Sequence, residues 1–449
     1  MSWVSGQSRP QSGAVLAAVR RVGSKAAGRH SALRRSDWLL YAAAIALSLL
    51  GTIVIWSATQ PVLVLQGANP HAYLLRQLLN LALGVILMLI VSALDSRQIR
   101  LWAPVVYVAS LLGLLAVLSP LGTVVNGARA WITLGGGFQV EPSEYAKLGL
   151  IVVSAMVLSD LKPGQARPGY RQVVRATVLC GIPILLVVAE PALGVTIVLV
   201  LLAVGLIALS GVRLRWLAAM IAAAVCGVTA VVKLHLLKAY QVSRLVSFVN
   251  PSADPRGTGY SAAQARIAIG SGGMHGTGLF HSRLIAGSFV PEQHTDFIFA
   301  VVGNELGFTG SVVLIGLLAV LLFRALRIAA RAQDQFGMLI AAGIAIWFAV
   351  QSFVNIGMTI GIMPVTGLPL PFVSYGGSAL FADMIAVGLL QSVGRRRNVF
   401  SGLASPRPAA ASLPSPSRCL GPELPRPPTG RRLCAASRYG WHFHHRQRW

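Results

Sequence analysis

The sequence predicts an all-α, polytopic membrane protein of about ten transmembrane helices, with both termini in the cytoplasm. The chain is 55% hydrophobic and only 11% charged, whereas a soluble chain carries roughly 25% charged residues. Its apolar residues come in runs of about twenty, the length that crosses ~30 Å of hydrocarbon. A membrane β-barrel would show short alternating segments instead of these continuous runs.

Ten apolar runs are predicted as membrane spans. The fourth and fifth runs are short, so one of them is expected to be tilted, partly re-entrant or extended by polar residues. The predicted spans are Trp38–Ser57, Leu74–Leu94, Leu101–Leu118, Tyr145–Leu158, Val173–Val188, Leu193–Leu209, Trp216–Lys233, Phe297–Phe323, Phe336–Ile360 and Ala379–Val393.

Basic residues mark one side of the membrane. They occupy both tails and the connections after the second, fourth, sixth and eighth spans, whereas residues 58–73 and 361–378 contain no Lys or Arg. Cytoplasmic loops carry the excess of positive charge, so both termini are predicted to be cytoplasmic. Two outer loops are then long, Ser119–Glu144 and the polar, Gly-rich His235–Thr295. Within the second loop, Tyr260–Gly270 is expected to form a short interfacial helix.

The chain is predicted to divide into a basic tail (1–36), a membrane domain (37–395, with outer loop 235–295) and a second tail (396–449). The first tail holds seven basic residues and no acid, and residues 395–449 hold eleven arginines and one glutamate. Both tails are expected to be disordered, because their composition offers no packed core. Next to membrane helices, such arms serve as cytoplasmic anchors and contact anionic lipids, so membrane lipids and not nucleic acid are the expected partners.

Asp296 stands immediately before the eighth apolar run, within Pro291–Ala300. A carboxylate is costly where a membrane helix begins, so it indicates a functional site. Asp is also a favoured N-cap residue, and capping of the following helix is an alternative of equal weight.

A second polar group is predicted on the same outer face. Arg129 and Trp131 lie in the first long loop, and Lys147 falls just inside the next helix. Arg and Lys there would suit a lipid-linked diphosphate, since Arg donates bidentate hydrogen bonds and Lys adds a point charge. Glu144 lies three residues before Lys147, so an intrahelical ion pair is the structural alternative. Trp131 suits the membrane interface with or without a substrate.

Two Gly-rich stretches are not regular helices. Gly270–Gly278 lacks the lysine of a nucleotide-binding loop and follows no strand, so it is predicted to be an outer-loop turn. Gly361–Ser378 is apolar but broken by prolines, and irregular backbone at membrane depth must be buried in protein or line a cavity. It is expected to dip into the outer face and wall a groove, with lining residues Pro369, Pro371, Ser374, Tyr375 and Gly376. The cysteines and histidines show no metal-ligand spacing, so the metal content is unknown from sequence.

These stretches together resemble the SEDS family (shape, elongation, division and sporulation). The matching pieces are Asn126–Trp131, Glu141–Lys147, Pro291–Ala300 with Glu305–Gly307, and Asn355–Ser378, within residues 38–395. The last piece is similar to the RodA branch more than to the FtsW branch.

The resemblance implies a ten-span peptidoglycan glycosyltransferase of the bacterial cytoplasmic membrane, which polymerises lipid II during cell-wall elongation and cell-shape determination. It implies that Asp296 is the essential acid, acting as a general base, and that Arg129 and Lys147 are functionally important. It also implies a class B penicillin-binding protein as partner. No cofactor is certain, and a divalent cation, Mg²⁺ or Mn²⁺, is the candidate.

The chain departs from the family pattern at Glu141, Ala192 and Asn304, where Gln, Asp and Glu are usual. Three alternatives stay open at this point: a lipid II flippase, an FtsW-type division polymerase and a non-catalytic scaffold. A transporter would be expected to carry charged groups near the bilayer midplane in two matching halves, and no such repeat is visible in the sequence.

Overall fold

The structure, a computed structural model, describes residues 37–125, 128–133, 139–161, 165, 167–190, 192–234, 239–250 and 257–401, so the predictions for both tails lie largely outside it. The helices and strands in chain order are α1 (Trp38–Leu65), α2 (Ala72–Ser92), α3 (Ser96–Leu118), β1 (Gly122–Val125), β2 (Ala128–Thr133), β3 (Gln139–Val140), α4 (Pro142–Leu158), α5 (Tyr170–Ala189), α6 (Leu193–Leu209), α7 (Leu214–Lys233), α8 (Ala239–Val249), α9 (Thr258–Ser271), α10 (Arg283–Ala286), α11 (Ile298–Glu305), α12 (Gly307–Ala330), α13 (Gln335–Ile360) and α14 (Gly377–Ser401).

The all-α membrane fold is confirmed. Seven of the described helices, α1, α2, α3, α5, α12, α13 and α14, are long and apolar enough to cross a membrane. α6 and the first part of α7 are shorter apolar helices, and α4 occupies the fourth predicted run. The predicted count of ten therefore stays a prediction. The helix of the fifth run begins with the polar residues Tyr170–Gln172. Extension by polar residues was one of the three options predicted for the short runs.

The eighth predicted span, Phe297–Phe323, is wrong as one continuous helix. α11 ends at Glu305, and α12 begins at Gly307, whose φ of +68° lies in the left-handed region that favours glycine. At the break, the Phe308 N–H donates to the carbonyl of Gly273 at 2.9 Å. The outer loop thus supplies hydrogen-bond partners to the new helix start, which is why the chain can interrupt the span here.

The predicted turn at Gly270–Gly278 is hydrogen-bonded to the end of α11, next to this break. The Thr277 N–H donates to the Asn304 carbonyl at 2.9 Å, and the Gly278 N–H donates to the Glu305 carbonyl at 3.0 Å. A Cβ on Gly276 would lie 2.1 Å from the same Glu305 oxygen, so a larger residue would push the two backbones apart. The glycines serve close packing of backbone on backbone.

The first long outer loop contains a small antiparallel sheet that the sequence analysis did not predict. Its order is β1-β2-β3, and Thr123 lies opposite Trp131 in the register. The Thr123 hydroxyl also donates to the Trp131 carbonyl at 3.1 Å. The alternation of Val, Thr, Trp and Ile in these strands is typical of a half-buried β-ribbon.

Helix ends on the predicted cytoplasmic side are tied together by polar side chains. Arg324 forms an ion pair with Asp37, and its Nε donates to Asp37 Oδ2 at 2.8 Å. Gln391 accepts from the Asp37 N–H at 3.0 Å. These contacts join the first, eighth and last predicted spans at one end, which leaves the opposite end to the long loops.

The irregular segment between α13 and α14 enters the protein as predicted. Leu368, Leu370 and Phe372 are buried in the main core. α1 approaches this segment at Gly51, where a Cβ would lie 2.4 Å from the Val373 carbonyl. The absence of a side chain on α1 therefore lets non-helical backbone sit inside the helix bundle.

Candidate active site

Asp296 lies in a turn between the second outer loop and α11. The N-cap of α11 is Phe297, and no side chain caps this helix end. The capping alternative for Asp296 is therefore not what the structure shows. The Asp296 carbonyl instead accepts from Asn355 Nδ2 at 2.8 Å, and the same Nδ2 donates to the Leu368 carbonyl at 2.6 Å. One amide thus holds the Asp296 turn against the irregular segment.

Two further hydrogen bonds fix the turn. The Ser374 hydroxyl donates to the Thr295 carbonyl at 2.6 Å, and the Tyr375 N–H donates to the His294 carbonyl at 2.9 Å. Because the turn has three consecutive carbonyls bound, the half-buried Asp296 side chain is presented from a rigid backbone.

Arg244 of α8 is the cation beside Asp296. A Cβ on Gly367 would lie 3.4 Å from Asp296 Oδ2 and 3.6 Å from Arg244 Nη1, so both charged groups border the same glycine. Arg244 Nη1 also donates to the Thr366 carbonyl at 3.2 Å. The acid, the arginine and the irregular segment therefore form one site on the predicted outer side.

The environment raises the pKa of Asp296 to about 7. Burial is the largest cause, the Glu292 carboxylate adds repulsion, and Arg244 opposes the rise. A carboxyl that titrates near neutral pH is suited to general-base catalysis, because it is ionised at the working pH and still accepts a proton readily.

Lys147 lies in a different environment, fully buried within the helix bundle. Its Nζ is 2.6 Å from Glu144 Oε2 and donates to Gln351 Oε1 at 2.7 Å. It also lies 4.7 Å from the Trp347 ring centroid. The intrahelical pair that was the structural alternative is therefore present, and α13 supplies additional partners.

Further acids surround this pair. Asp383 of α14 accepts from the Phe372 N–H at 2.9 Å, which ties α14 to the irregular segment. Glu141 and Glu190 are buried at neighbouring ends of α4 and α5. Burial raises the pKa of each to about 8, and the nearby Glu144 also raises that of Glu141. Burial therefore disfavours the ionised form of both carboxyls.

The other predicted site residues fall around these two centres. Trp131 and Arg129 lie on β2, and the Arg129 side chain is outside the described part of the chain. The Pro369 carbonyl accepts from Gln351 Nε2 at 2.9 Å, which links the irregular segment to the Lys147 group. Tyr375 packs edge-to-face on Tyr73 at 4.9 Å. Pro371 is buried, and Gly376 is half-buried. The binding roles of all these residues stay predictions.

The sequence analysis did not identify Arg244, Gln351 or Asp383 as site residues. It also did not predict that the Asn355 side chain donates a hydrogen bond to the Asp296 carbonyl. Asn355 opens the family motif Asn355–Ser378, but its hydrogen bond to Asp296 could not be predicted from sequence. Arg244 is one of several basic residues in the long loop, with no local pattern to single it out. The departure at Asn304 has a structural use, because its Nδ2 donates to the Ala268 carbonyl at 3.0 Å and so holds α9.

The described residues contain no group of three or more His, Cys, Asp or Glu side chains that could hold a metal ion. Mg²⁺ is commonly bound through one or two carboxylates together with substrate phosphates, so the divalent cation stays a prediction.

Known proteins match this fold over most of the chain. A family profile described as "Cell cycle protein" matches residues 37–399. Peptidoglycan glycosyltransferase MrdB of Escherichia coli (strain K12) is 37% identical over 361 residues, which cover 80% of this chain and 93% of MrdB. Stage V sporulation protein E of Bacillus subtilis (strain 168) is 36% identical over 360 residues, which cover 80% and 97%.

Solved structures agree with these relatives. A chain from a peptidoglycan synthase complex that coordinates polymerization and crosslinking is 32% identical, with a TM-score of 0.66, and the match covers 81% of this chain and 98% of that one. Rod shape determining protein RodA of Thermus thermophilus is 31% identical, with a TM-score of 0.58, and the match covers 81% and 97%.

The fold and the comparisons define a multi-pass protein of the cytoplasmic membrane. The chain belongs to the FtsW/RodA/SpoVE family, which is the SEDS family that its motifs resemble.

Proposed function

We propose that this chain is a peptidoglycan glycosyltransferase that polymerises lipid II at the outer face of the membrane, with Asp296 as its general base. Relatives named peptidoglycan glycosyltransferases at 35–37% identity support the reaction class. The observation that carries the residue assignment is the Asp296 carboxylate, which borders Gly367 beside Arg244 on a turn fixed by three hydrogen bonds.

The reaction requires removal of one proton. The 4-hydroxyl of the acceptor GlcNAc attacks C1 of the donor MurNAc, and undecaprenyl diphosphate leaves with the bonding electron pair. An ionised Asp296 Oδ within hydrogen-bond reach of that hydroxyl accepts its proton as the new glycosidic bond forms. The raised pKa of Asp296 suits this role near neutral pH, and the rigid turn keeps the carboxylate in place.

Positive charge must stabilise the leaving diphosphate. Arg244, like Asp296, lies next to Gly367. We propose that Arg244, together with Arg129, binds the diphosphate. Lys147 is buried and contacts Gln351 and Trp347. We therefore assign it a structural role that joins α4 to α13, not direct contact with phosphate.

We further propose that the chain serves cell-wall elongation and cell shape with a class B penicillin-binding protein as partner. The RodA-like Asn355–Met358 and Pro369–Pro371 support the elongation role, and the similar chain from a peptidoglycan synthase complex supports a crosslinking partner.

Polymerisation of purified lipid II by the purified protein, with and without the partner, tests this function. Asp296→Asn is expected to lower the rate by ~10²–10⁴-fold, the usual contribution of a general base. The matched control is Asp160→Asn, because the Asp160 side chain is 83% exposed and lies away from the site. If folded Asp296→Asn protein kept a tenth or more of the native rate, Asp296 would not be the base.

A further inference from the structure

The helix that carries Arg244 turns its polar side toward the protein and an apolar side away from it. In the sequence of α8, apolar residues recur with the i, i+3, i+4, i+7 spacing of one helix face, at Val242, Leu245, Val246 and Val249. Of these, Val242 is 43% exposed and Val246 is 46% exposed. On the other side, Gln241 and Ser247 are buried and Arg244 is half-buried. A helix on a soluble protein has the opposite arrangement.

Hydrogen bonds indicate the level of α8 relative to the membrane. Arg244 Nη1 donates to the Thr366 carbonyl at 3.2 Å. The Thr366 N–H and hydroxyl both donate to Met358 Sδ at 3.5 Å, and Met358 lies in the last turn of α13, which is long and apolar enough to cross a membrane. Ile360 at the end of α13 is 41% exposed. α8 therefore lies within the length of one arginine side chain of the level at which α13 ends.

The connections of α8 agree with this level. α7 ends at Lys233 and α8 begins at Ala239, so the chain between these two residues can span only ~20 Å. α8 also packs against α9. α9 reaches the end of α13, because a Cβ on Gly361 would lie 3.1 Å from Arg266 Cδ. α8 is thus kept close to the ends of two apolar helices.

Lipid suits the exposed side of a helix at this level. A helix with one polar and one aliphatic side lies in the plane of the membrane interface, with its aliphatic side among the acyl chains. The acyl chains remove that side from water, which is favourable for apolar surface. The polar side keeps its partners in the protein, since Arg244 binds Thr366 and the Ser247 hydroxyl donates to the Arg244 carbonyl at 3.2 Å. The position of α8 therefore favours lipid over a protein partner.

We propose that α8 is an interfacial anchor in the outer leaflet, with Val242 and Val246 among lipid acyl chains, and that this anchor positions Arg244 beside Asp296. The lipid contact is independent of the reaction, whereas the positioning role rests on the proposed glycosyltransferase function. Arg244 and Val246 are two residues apart and so lie on nearly opposite sides of the helix. A change in the depth of α8 would therefore move the guanidinium relative to Gly367 and the Asp296 carboxylate.

Collision of a nitroxide label with two reagents tests the lipid contact. The label is attached to Val246→Cys in the full-length protein, in nanodiscs of phosphatidylethanolamine and phosphatidylglycerol. Oxygen concentrates among acyl chains and the nickel complex Ni-EDDA stays in water, so the ratio of their collision rates reports the surroundings of the label. The native cysteines are first replaced by alanine, at Cys180, Cys226, Cys419 and Cys434.

Two reference positions calibrate the ratio. Leu112→Cys on α3 is the lipid reference, because Leu112 is 61% exposed on an apolar helix long enough to cross the membrane. Asp160→Cys is the water reference, because the Asp160 side chain is 83% exposed in a predicted cytoplasmic loop. The label at Val246, and a second one at Val242→Cys, should give an oxygen-to-nickel ratio close to that at Leu112.

Two other results would overturn the anchor. A ratio like that at Asp160 would show that this side of α8 lies in water and is free for a protein partner. Slow collision with both reagents would show that protein already covers it.

The positioning role is tested with a pair of substitutions that differ in polarity and little in shape. Val246→Asn should lower the rate of lipid II polymerisation by up to ~10²-fold, the cost of misplacing a group in the site by about 1 Å. Val246→Leu should keep the native rate. In an Arg244→Gln background, Val246→Asn should have little further effect, because its effect acts through the guanidinium. Losses that multiply would overturn the positioning role.

The outcomes separate this inference from the proposed function. The collision measurement uses no substrate, so its result does not depend on the role of Asp296. An active Asp296→Asn protein would reject the proposed base, and the label at Val246 would still report lipid. A ratio like that at Asp160, together with an inactive Asp296→Asn protein, would overturn the anchor and leave the base standing.

Discussion

Asp296 and Lys147 both lie at helix starts on the outer side, yet the structure gives them opposite surroundings. Asp296 is half-buried on a loop, and the cation beside it, Arg244, comes from another loop helix. Lys147 is fully buried, with Glu144 at 2.6 Å and Gln351 at 2.7 Å. A charged group that takes part in catalysis must be accessible to the substrate, whereas a charged group that joins helices can be fully buried.

The difference teaches that a charged residue in a membrane segment is a site candidate whose role depends on its partners. The Asp296 turn is fixed through its backbone carbonyls, so its carboxylate is left to face Arg244 and the groove. The Lys147 ammonium is itself the group that is bound. The first arrangement can act as a base, and the second joins α4 to α13.

The largest effect on the fold is expected from Lys147→Met. This change leaves Glu144 buried without its cation, so the free energy of unfolding should fall by about 3–5 kcal/mol. The double variant Glu144→Gln/Lys147→Met should recover most of the loss, because no unpaired charge remains. Thermal unfolding in detergent measures both, and Lys233→Met on the exposed end of α7 is the control.

The opposite pattern would move Lys147 to the substrate side. A Lys147→Met protein of native stability that needs much more lipid II for half-maximal rate would show that the ammonium binds phosphate, as the sequence motifs first indicated. In that case the double variant would stay impaired.

A smaller effect is expected from Gly367→Ala, which acts on the Asp296 side of the comparison. Gly367 has a φ of +72°, and the new Cβ would lie 3.4 Å from Asp296 Oδ2. The strain of a left-handed non-glycine residue costs about 1–3 kcal/mol, and the new methyl group would take up the space beside Asp296 Oδ2 and Arg244 Nη1 that a substrate must enter. Gly67→Ala is the matched control, because its φ is +66° but nothing lies within 4 Å of its Cβ. A Gly367→Ala protein as active as Gly67→Ala would contradict this placement of the base.

The smallest effect is expected from removing the C-terminal tail after Ser405. The Pro-, Ser- and Arg-rich composition offers no packed core, so insertion and polymerisation should equal those of the full chain. Loss of polymerisation with normal insertion would instead assign the tail a role, with partner binding the first to examine.

Hydrophobic run length predicted the helices, and the prolines within Gly361–Ser378 predicted the irregular segment, since both signals lie in local composition. It could not predict the break at Leu306, because the hydrogen bonds that permit it come from Gly273 in another part of the chain. For the same reason the sequence placed Asp296 but not Arg244, whose proximity arises only when α8 packs beside Thr366. The sheet around Trp131 was missed because its strands are only four, six and two residues long.

The most direct test of Asp296 as the base is the pH dependence of lipid II polymerisation. Burial and Glu292 raise the pKa of Asp296 to about 7, and Arg244 opposes them; Glu141 is a further acid within electrostatic range. Because the ionised form is the base, the rate should fall as the pH drops through about 7. Glu292→Gln removes a repulsive charge and should move this acidic limb to lower pH, whereas Arg244→Gln should move it to higher pH. An acidic limb that neither substitution moves would contradict the assignment of Asp296.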